Sequence, residues 1–264
     1  MKLTQLLNGR VDLHNYQPSV DDIVKISACD LFIYVGGESD KWVGEALKSA
    51  TNPNMIVINL LDALGNKAKI EETLEGMEEE DADDEENYDE HVWLSLKNAI
   101  FFCSVIADAL SSLDAENAGK YKGNLDAYAG RLAALDAEYQ AFADSSPVRT
   151  LLFGDRFPFR YLTDDYGLKC YAVFSGCSAE TEAGFDTVIR LASKADELGL
   201  KTIIVTESSD QSIAKAIKNN TVGKNQQILV LDAMQSVTLS DIQNGATYLT
   251  VMESNLNILK EALK

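Results

Sequence analysis

The chain holds two histidines, and each stands beside carboxylates in a polar stretch just ahead of a helix signal. His14 lies in Val11-Asp12-Leu13-His14-Asn15-Tyr16-Gln17-Pro18, before Ser19, and His91 lies in Tyr88-Asp89-Glu90-His91-Val92-Trp93, before Ser95. A neutral imidazole offers one lone pair and suits Zn, Mn, Fe and Cu, so both residues are candidate ligands for a divalent transition metal. The other reading is a pair of surface or capping histidines, because neither a CxxC nor an HExxH pattern accompanies them. Cys177, in Gly176-Cys177-Ser178-Ala179-Glu180, could add a soft thiolate, or be a loop cysteine or half of a bridge to Cys170, and it stands outside the candidate ligand set. Asp155, in Gly154-Asp155-Arg156-Phe157-Pro158, is well placed to cap a following helix. Gly36-Gly37 lacks the further glycines and Lys that cradle phosphate and reads as a turn.

The elements that must position these residues follow from periodicity. Short apolar runs recur at Leu31–Val35, Met55–Ile58, Leu151–Phe153, Cys170–Phe174, Thr202–Val205 and Ile228–Leu231, each followed by a helical pattern. Such runs suit strands buried on both faces of a parallel sheet, so the expected class is α/β. Ser19 with Asp22 reads as a capping box opening a helix through about Ala28. Further helices are expected at roughly Lys41–Ala50, Ser95–Leu113, Ala183–Leu198 and Ser209–Asn219. Asp114–Asp144 is rich in Ala, Leu, Glu, Lys and Tyr and contains no Pro, which predicts one long helix running along two lobes rather than inside one.

Composition narrows the classes of function. The 264 residues carry a formal charge of -19, and Glu71–Glu90 alone holds 13 acids and no base, which leaves -19 + 13 = -6 for the rest. A mildly acidic body lacks the clustered Lys and Arg that the phosphate backbone requires, so nucleic acid is not an expected partner. The acidic run has no apolar face and reads as a disordered loop, with weak capture of divalent cations as the alternative. No stretch offers the ~18–20 uninterrupted apolar residues of a membrane span, and the first residues lack the apolar core of a leader. Four cysteines are too few for a disulfide scaffold.

His14-Asn15-Tyr16-Gln17-Pro18-Ser19-Val20-Asp21-Asp22, followed by Ala28-Cys29-Asp30-Leu31-Phe32-Ile33-Tyr34-Val35-Gly36, resembles the H-x-Y-x-P-x-x-x-D and A-D-L-x-x-Y-x-G segments of the zinc and manganese solute-binding proteins of ABC importers, the ZnuA/TroA-like family. Glu90-His91-Val92-Trp93-Leu94-Ser95-Leu96-Lys97-Asn98-Ala99 is similar to that family's D-P-H-V-W-L-D-P-x-N-A, and Thr206-Glu207-Ser208-Ser209 to its V-E-S-S. Asp232 falls where the family has a ligand Asp after its last strand. The resemblance implies two α/β lobes, each with a small parallel sheet, joined by one long helix and holding a metal between them. The implied division is an N-terminal lobe over 1–113 with its acidic loop at 71–90, an interlobe helix over 114–146 and a C-terminal lobe over 147–264. It also implies His14, His91 and Asp232 as ligands to Zn2+ or, next, Mn2+, and Glu207 beside the site. The expected role is an extracytoplasmic, membrane-anchored metal-binding component that delivers its ion to an ABC permease and catalyses nothing.

The sequence departs from the family at two places. A family ligand, His or Glu, falls on Arg156, whose guanidinium stays protonated and cannot ligate. Asp155 is then a candidate replacement, and Arg156 a candidate partner for Asp232 or Glu207. The chain also has only about ten residues before the segment that carries His14, where the family has a leader and a first βα unit. The expectation is a truncated start or a lobe without its opening strand, monomeric unless the exposed sheet edge promotes oligomerisation. A surface or adhesin-like protein with a degenerate metal site is the alternative function, and a zinc hydrolase a further one.

Overall fold

A computed structural model describes residues 1–7, 13–71, 73–75, 77, 87–178 and 182–264. The chain divides into two compact units: unit one comprises Met1–Lys69, Val92–Asp136 and Gln235–Gly245, and unit two Ile70–His91, Ala137–Met234 and Ala246–Lys264.

Unit one opens with α1 (Val20–Ser27), β1 (Leu31–Tyr34), α2 (Val43–Leu47), β2 (Ile56–Asn59) and α3 (Leu60–Leu64). The expected capping box is present: Ser19 Oγ accepts the Asp22 N–H at 3.2 Å and the Asp22 carboxylate accepts the Ser19 N–H at 3.1 Å. Hydroxyl and ammonium donors from Ser19 and Lys25 hold the Asp22 carboxyl well below the usual carboxylate range. The cap is therefore complete above that range and weakens on acidification. Strands β1 and β2 pair in parallel, Leu31 against Ile56 through Tyr34 against Asn59. Phe32 joins Ile26, Val43 and Ala46 in a small core.

The Gly36-Gly37 turn has φ of 95° and 84°, where a side chain at Gly36 would strike Asn59. The Asp40 carboxylate accepts the N–H groups of Val35 and Gly36, so this is the turn that the sequence predicts. Helix α4 (Leu96–Leu113) is capped by Ser95 and is, among the described residues, the one helix long and apolar enough to cross a membrane by length and composition. Lys97 and Asp108 interrupt it, and it packs against α3 within unit one.

The expected long helix is α5 (Ala118–Ser145), with Ala118–Asp136 in unit one and the remainder in unit two. Its buried Leu132, Leu135, Tyr139 and Ala143 recur at three- and four-residue spacing, which makes one stripe. Tyr139 stacks on Tyr166 with ring centroids 5.0 Å apart and donates its hydroxyl to the Met252 carbonyl at 2.6 Å.

In unit two follow β3 (Thr150–Leu152), β4 (Arg156–Phe157), α6 (Arg160–Tyr166), β5 (Lys169–Tyr171), β6 (Phe174–Ser175), α7 (Phe185–Glu197), β7 (Thr202–Val205), α8 (Ser212–Asn220) and β8 (Gln227–Val230). The short α9 (Leu239–Gln243) belongs to unit one, and α10 (Tyr248–Ala262) closes unit two. Strand pairs β3 with β5, β4 with β6 and β7 with β8 are all parallel, and Phe153 bridges to Ile204. All four residues of β7 are buried, as a continuous apolar run implies. Leu152, Phe174, Leu191, Ile203, Val205 and Ile217 form the centre of this core.

The expectation that Asp155 caps a helix is corrected here. Arg156–Phe157 is extended, and α6 starts later with Phe159 at its N-cap and no side-chain cap. The single strand expected over Cys170–Phe174 is two, because β5 pairs with β3 and β6 with β4. None of the four cysteines is in a disulfide, so Cys170 and Cys177 are not bridged. Most of the acidic run, 78–86, lies outside the described residues. Its flanks meet, with Ile70 bridged to Tyr88 and the Glu71 N–H donating to the Asn87 carbonyl at 2.8 Å.

Candidate metal centre

His14 occupies a single helical turn, Leu13–Asn15, in unit one. Its Nδ1 lies 2.7 Å from Ser39 Oγ, and its Nε2 lies 3.0 Å from the amide nitrogen of buried Gln235. An amide nitrogen only donates, so Nε2 is the acceptor and carries the lone pair, while Nδ1–H donates to the Ser39 hydroxyl. This neutral tautomer is the one a metal takes at Nε2. The following segment is seated by Tyr16, which packs edge-on against Trp42 and donates its hydroxyl to Asp22 at 3.1 Å. Burial and that bond push the Tyr16 phenol up to about 12.

His91 is fully buried in unit two, at 0% exposure, beside Asp89 and Glu90 at 1% each. The Asp89 Oδ1 accepts the His91 backbone N–H at 2.8 Å and faces its ring Nδ1 at 3.0 Å. A carboxylate only accepts, so Nδ1 is a protonated nitrogen, and in the neutral ring the lone pair is on Nε2. The Asp89 backbone is fixed in turn by the Tyr161 hydroxyl, which donates to its carbonyl at 3.1 Å. A carboxylate behind an imidazole fixes ring orientation and raises its basicity toward a cation. Asp89→Asn keeps the shape and removes the charge, so Zn2+ affinity is expected to fall by ~10-fold or more with little change in fold. Calorimetric titration checks this, and affinity unchanged within twofold would remove Asp89 from the site.

Against the His91 ring lies the turn after β6. A Cβ on Gly176 would sit 2.8 Å from the Phe157 carbonyl oxygen and 3.0 and 3.1 Å from His91 Cε1 and Nδ1, so only glycine permits this approach. Next in the chain, Cys177 offers its Sγ within 4.8 Å of a His91 ring nitrogen. Its backbone N–H donates to Glu71 Oε1 at 2.8 Å, and the Arg156 guanidinium donates to the Ser178 carbonyl at 3.4 Å. Burial first, then the carboxylates of Glu71, Glu90 and Asp89, push the Cys177 thiol far up.

The other sequence-derived candidates have their own surroundings in unit two. Asp155 directs Oδ2 to the Thr206 hydroxyl at 2.8 Å and Oδ1 to the Arg156 N–H at 2.9 Å, so its carboxylate ties β4 to the end of β7. Asp232 is clamped by buried Asn255, which accepts its N–H at 2.9 Å and donates to its carbonyl at 2.8 Å. Its Oδ1 accepts the N–H of Met234, a residue at φ 57°. Glu207 accepts the Ala233 N–H at 2.8 Å, which anchors the segment that carries Asp232.

Asp89, Gln235 and Gly176 were not singled out by sequence. The signal for Asp89 was its place two residues before a histidine, masked by the acids around it. In unit two alone, the His91 imidazole, the carboxylates beside it and the Cys177 thiol are donor types that suit borderline-soft divalent cations.

A family model described as zinc-uptake complex component A, periplasmic, matches residues 1–262. The zinc-binding protein AdcA of Streptococcus pyogenes serotype M3 is 26% identical over 267 residues, covering 98% of this chain and 51% of that protein. The high-affinity zinc uptake system protein ZnuA of Bacillus subtilis is 26% identical over 258 residues, covering 98% of this chain and 79% of that one. The chain thus spans about half the length of the streptococcal relatives it matches. The Zn(II)-bound ZnuA-like domain of Streptococcus pneumoniae AdcA superposes with a TM-score of 0.74 at 26% identity, covering 98% of this chain and 89% of that one. The metal-dependent lipoprotein YcdH from Bacillus subtilis gives 0.78 at 25%, with 98% and 90% covered. With one family model matched along almost its whole length, this chain belongs to the zinc-uptake complex component A family.

Proposed function

We propose that this chain is an extracytoplasmic solute-binding protein that captures one divalent transition metal, Zn2+ ahead of Mn2+, and passes it to an ABC permease. The observation that carries the reading is His91: a buried imidazole whose Nδ1–H rests on the Asp89 carboxylate, which makes Nε2 the ligating atom of the neutral ring. His14 has the same tautomer, set by Ser39 and Gln235. The proposed ligands are His14, His91 and Asp232. Asp155 is a weaker, fourth candidate, because Thr206 and the Arg156 N–H already occupy its carboxylate. Glu207 acts by holding the Asp232 segment. Transport rather than turnover is supported by the relatives, which are named as zinc-binding and zinc-uptake proteins. Attachment outside the cytoplasmic membrane is supported by the Streptococcus pneumoniae relative, named a zinc-binding lipoprotein.

The test is calorimetric titration of chelator-stripped protein with Zn2+ and separately with Mn2+. Saturation near one Zn2+ per chain with Kd of ~1 μM or tighter is expected, with Mn2+ weaker in line with its place in the divalent affinity order. Absence of saturable Zn2+ binding by folded protein would end the proposal.

A further inference from the structure

We propose that Cys177 is a thiolate ligand to the captured metal, paired with His91, and that it biases the site toward thiophilic cations such as Zn2+ and against Mn2+; this rests on the metal-capture reading above. Cys177 Sγ and a His91 ring nitrogen lie within 4.8 Å of each other. A tetrahedral Zn2+ holds sulfur at ~2.3 Å and nitrogen at ~2.0–2.1 Å, which separates the two donors by roughly 3.6 Å. Side-chain rotation that brings the two atoms closer by at most about 1.2 Å places them on one ion.

The loop is built for this approach. Gly176 removes the Cβ that would otherwise press on the imidazole and on the Phe157 carbonyl. On either side of the thiol the backbone is held, at the Cys177 N–H by Glu71 and at the Ser178 carbonyl by Arg156. Arg156 cannot ligate, but its guanidinium supports the segment that presents the sulfur. Around the thiol, Glu71, Asp89 and Glu90 supply negative charge that a divalent cation would offset. Coordination replaces the S–H bond with an S–metal bond and sends one proton to solvent. Thiolate sulfur prefers Zn2+ and its softer neighbours, whereas oxygen donors suit Mn2+, so this one residue separates the two candidate cargoes.

The competing reading is a small buried thiol with only a packing role. Co2+ titration of the stripped full chain, followed by absorption, separates them. The expected wild-type spectrum has visible d–d bands together with a near-ultraviolet sulfur-to-cobalt charge-transfer band. In Cys177→Ser the charge-transfer band is lost while d–d bands remain, and Zn2+ affinity falls by ~10-fold or more with Mn2+ affinity little changed. Cys103→Ser, in α4, serves as the control and keeps the band. Far-ultraviolet circular dichroism establishes that each variant is folded, and Cys177→Ala repeats the test if the serine variant is not. Co2+ bound by wild type without the charge-transfer band overturns the Cys177 assignment and leaves metal capture standing. Failure of folded wild type to bind Co2+ or Zn2+ overturns both.

Discussion

His91→Ala is expected to lower Zn2+ affinity beyond the roughly 10–100-fold that loss of an outer-shell partner costs, because it removes a donor rather than a supporting group. The same change should destabilise the metal-free protein. The ring is fully buried, so its removal opens a cavity, and the Asp89 carboxylate loses the Nδ1–H that it accepts at 3.0 Å. The cavity, together with a buried carboxylate that keeps the residue 91 backbone N–H but loses the ring donor, suggests a loss of ~2–4 kcal/mol. Denaturant unfolding in chelator and Zn2+ titration at a temperature where the variant remains folded measure the two effects separately. A variant with near-wild-type affinity would exclude His91 from the site, whatever its stability.

Gly176→Ala should produce the second large effect, through a single methyl group. Its Cβ would fall 2.8 Å from the Phe157 carbonyl oxygen, a backbone atom of β4, and about as close to the His91 ring. Neither neighbour is the mobile end of a long side chain. Strand β4 is held in register with β6, and the ring is held by Asp89, so the turn must move away. Overpacking of this kind costs ~1–3 kcal/mol. Moving the turn also displaces Cys177 and tilts the imidazole, so Zn2+ affinity should drop by ~10-fold or more. Thermal melts and titration check the pair of effects. An alanine variant with unchanged melting and unchanged affinity would mean that the close approach has no consequence.

The sequence made the scaffold readable where one local rule sufficed. The Ser19 and Asp22 capping box, the all-buried run Thr202–Val205 and the Pro-free stretch that became α5 each carry their own signal, and each element formed. Failures arose where tertiary pairing decided the outcome. Cys170–Phe174 has no break in hydrophobicity, yet the chain changes partner within it, from β3 to β4. Strand β4 is two residues long and precedes Pro158, so Asp155 looked like a helix cap when its partner was Thr206. At the candidate site both histidines stood out by rarity, whereas the groups that set their tautomers did not. Asp89 and Glu90 carry the same letters as the acids before them in the sequence, and nothing local marks their burial to 1% each. Gln235 reaches His14 from 221 positions away, a contact that no local pattern encodes.

The most direct test of the central claim is the number of Zn2+ ions retained per chain at equilibrium dialysis, in wild type and in a His14→Ala/His91→Ala variant shown to be folded. The expected result is close to one ion in wild type and a loss of tight retention in the variant. Equal retention by both, or none by folded wild type, would contradict metal capture through these two histidines.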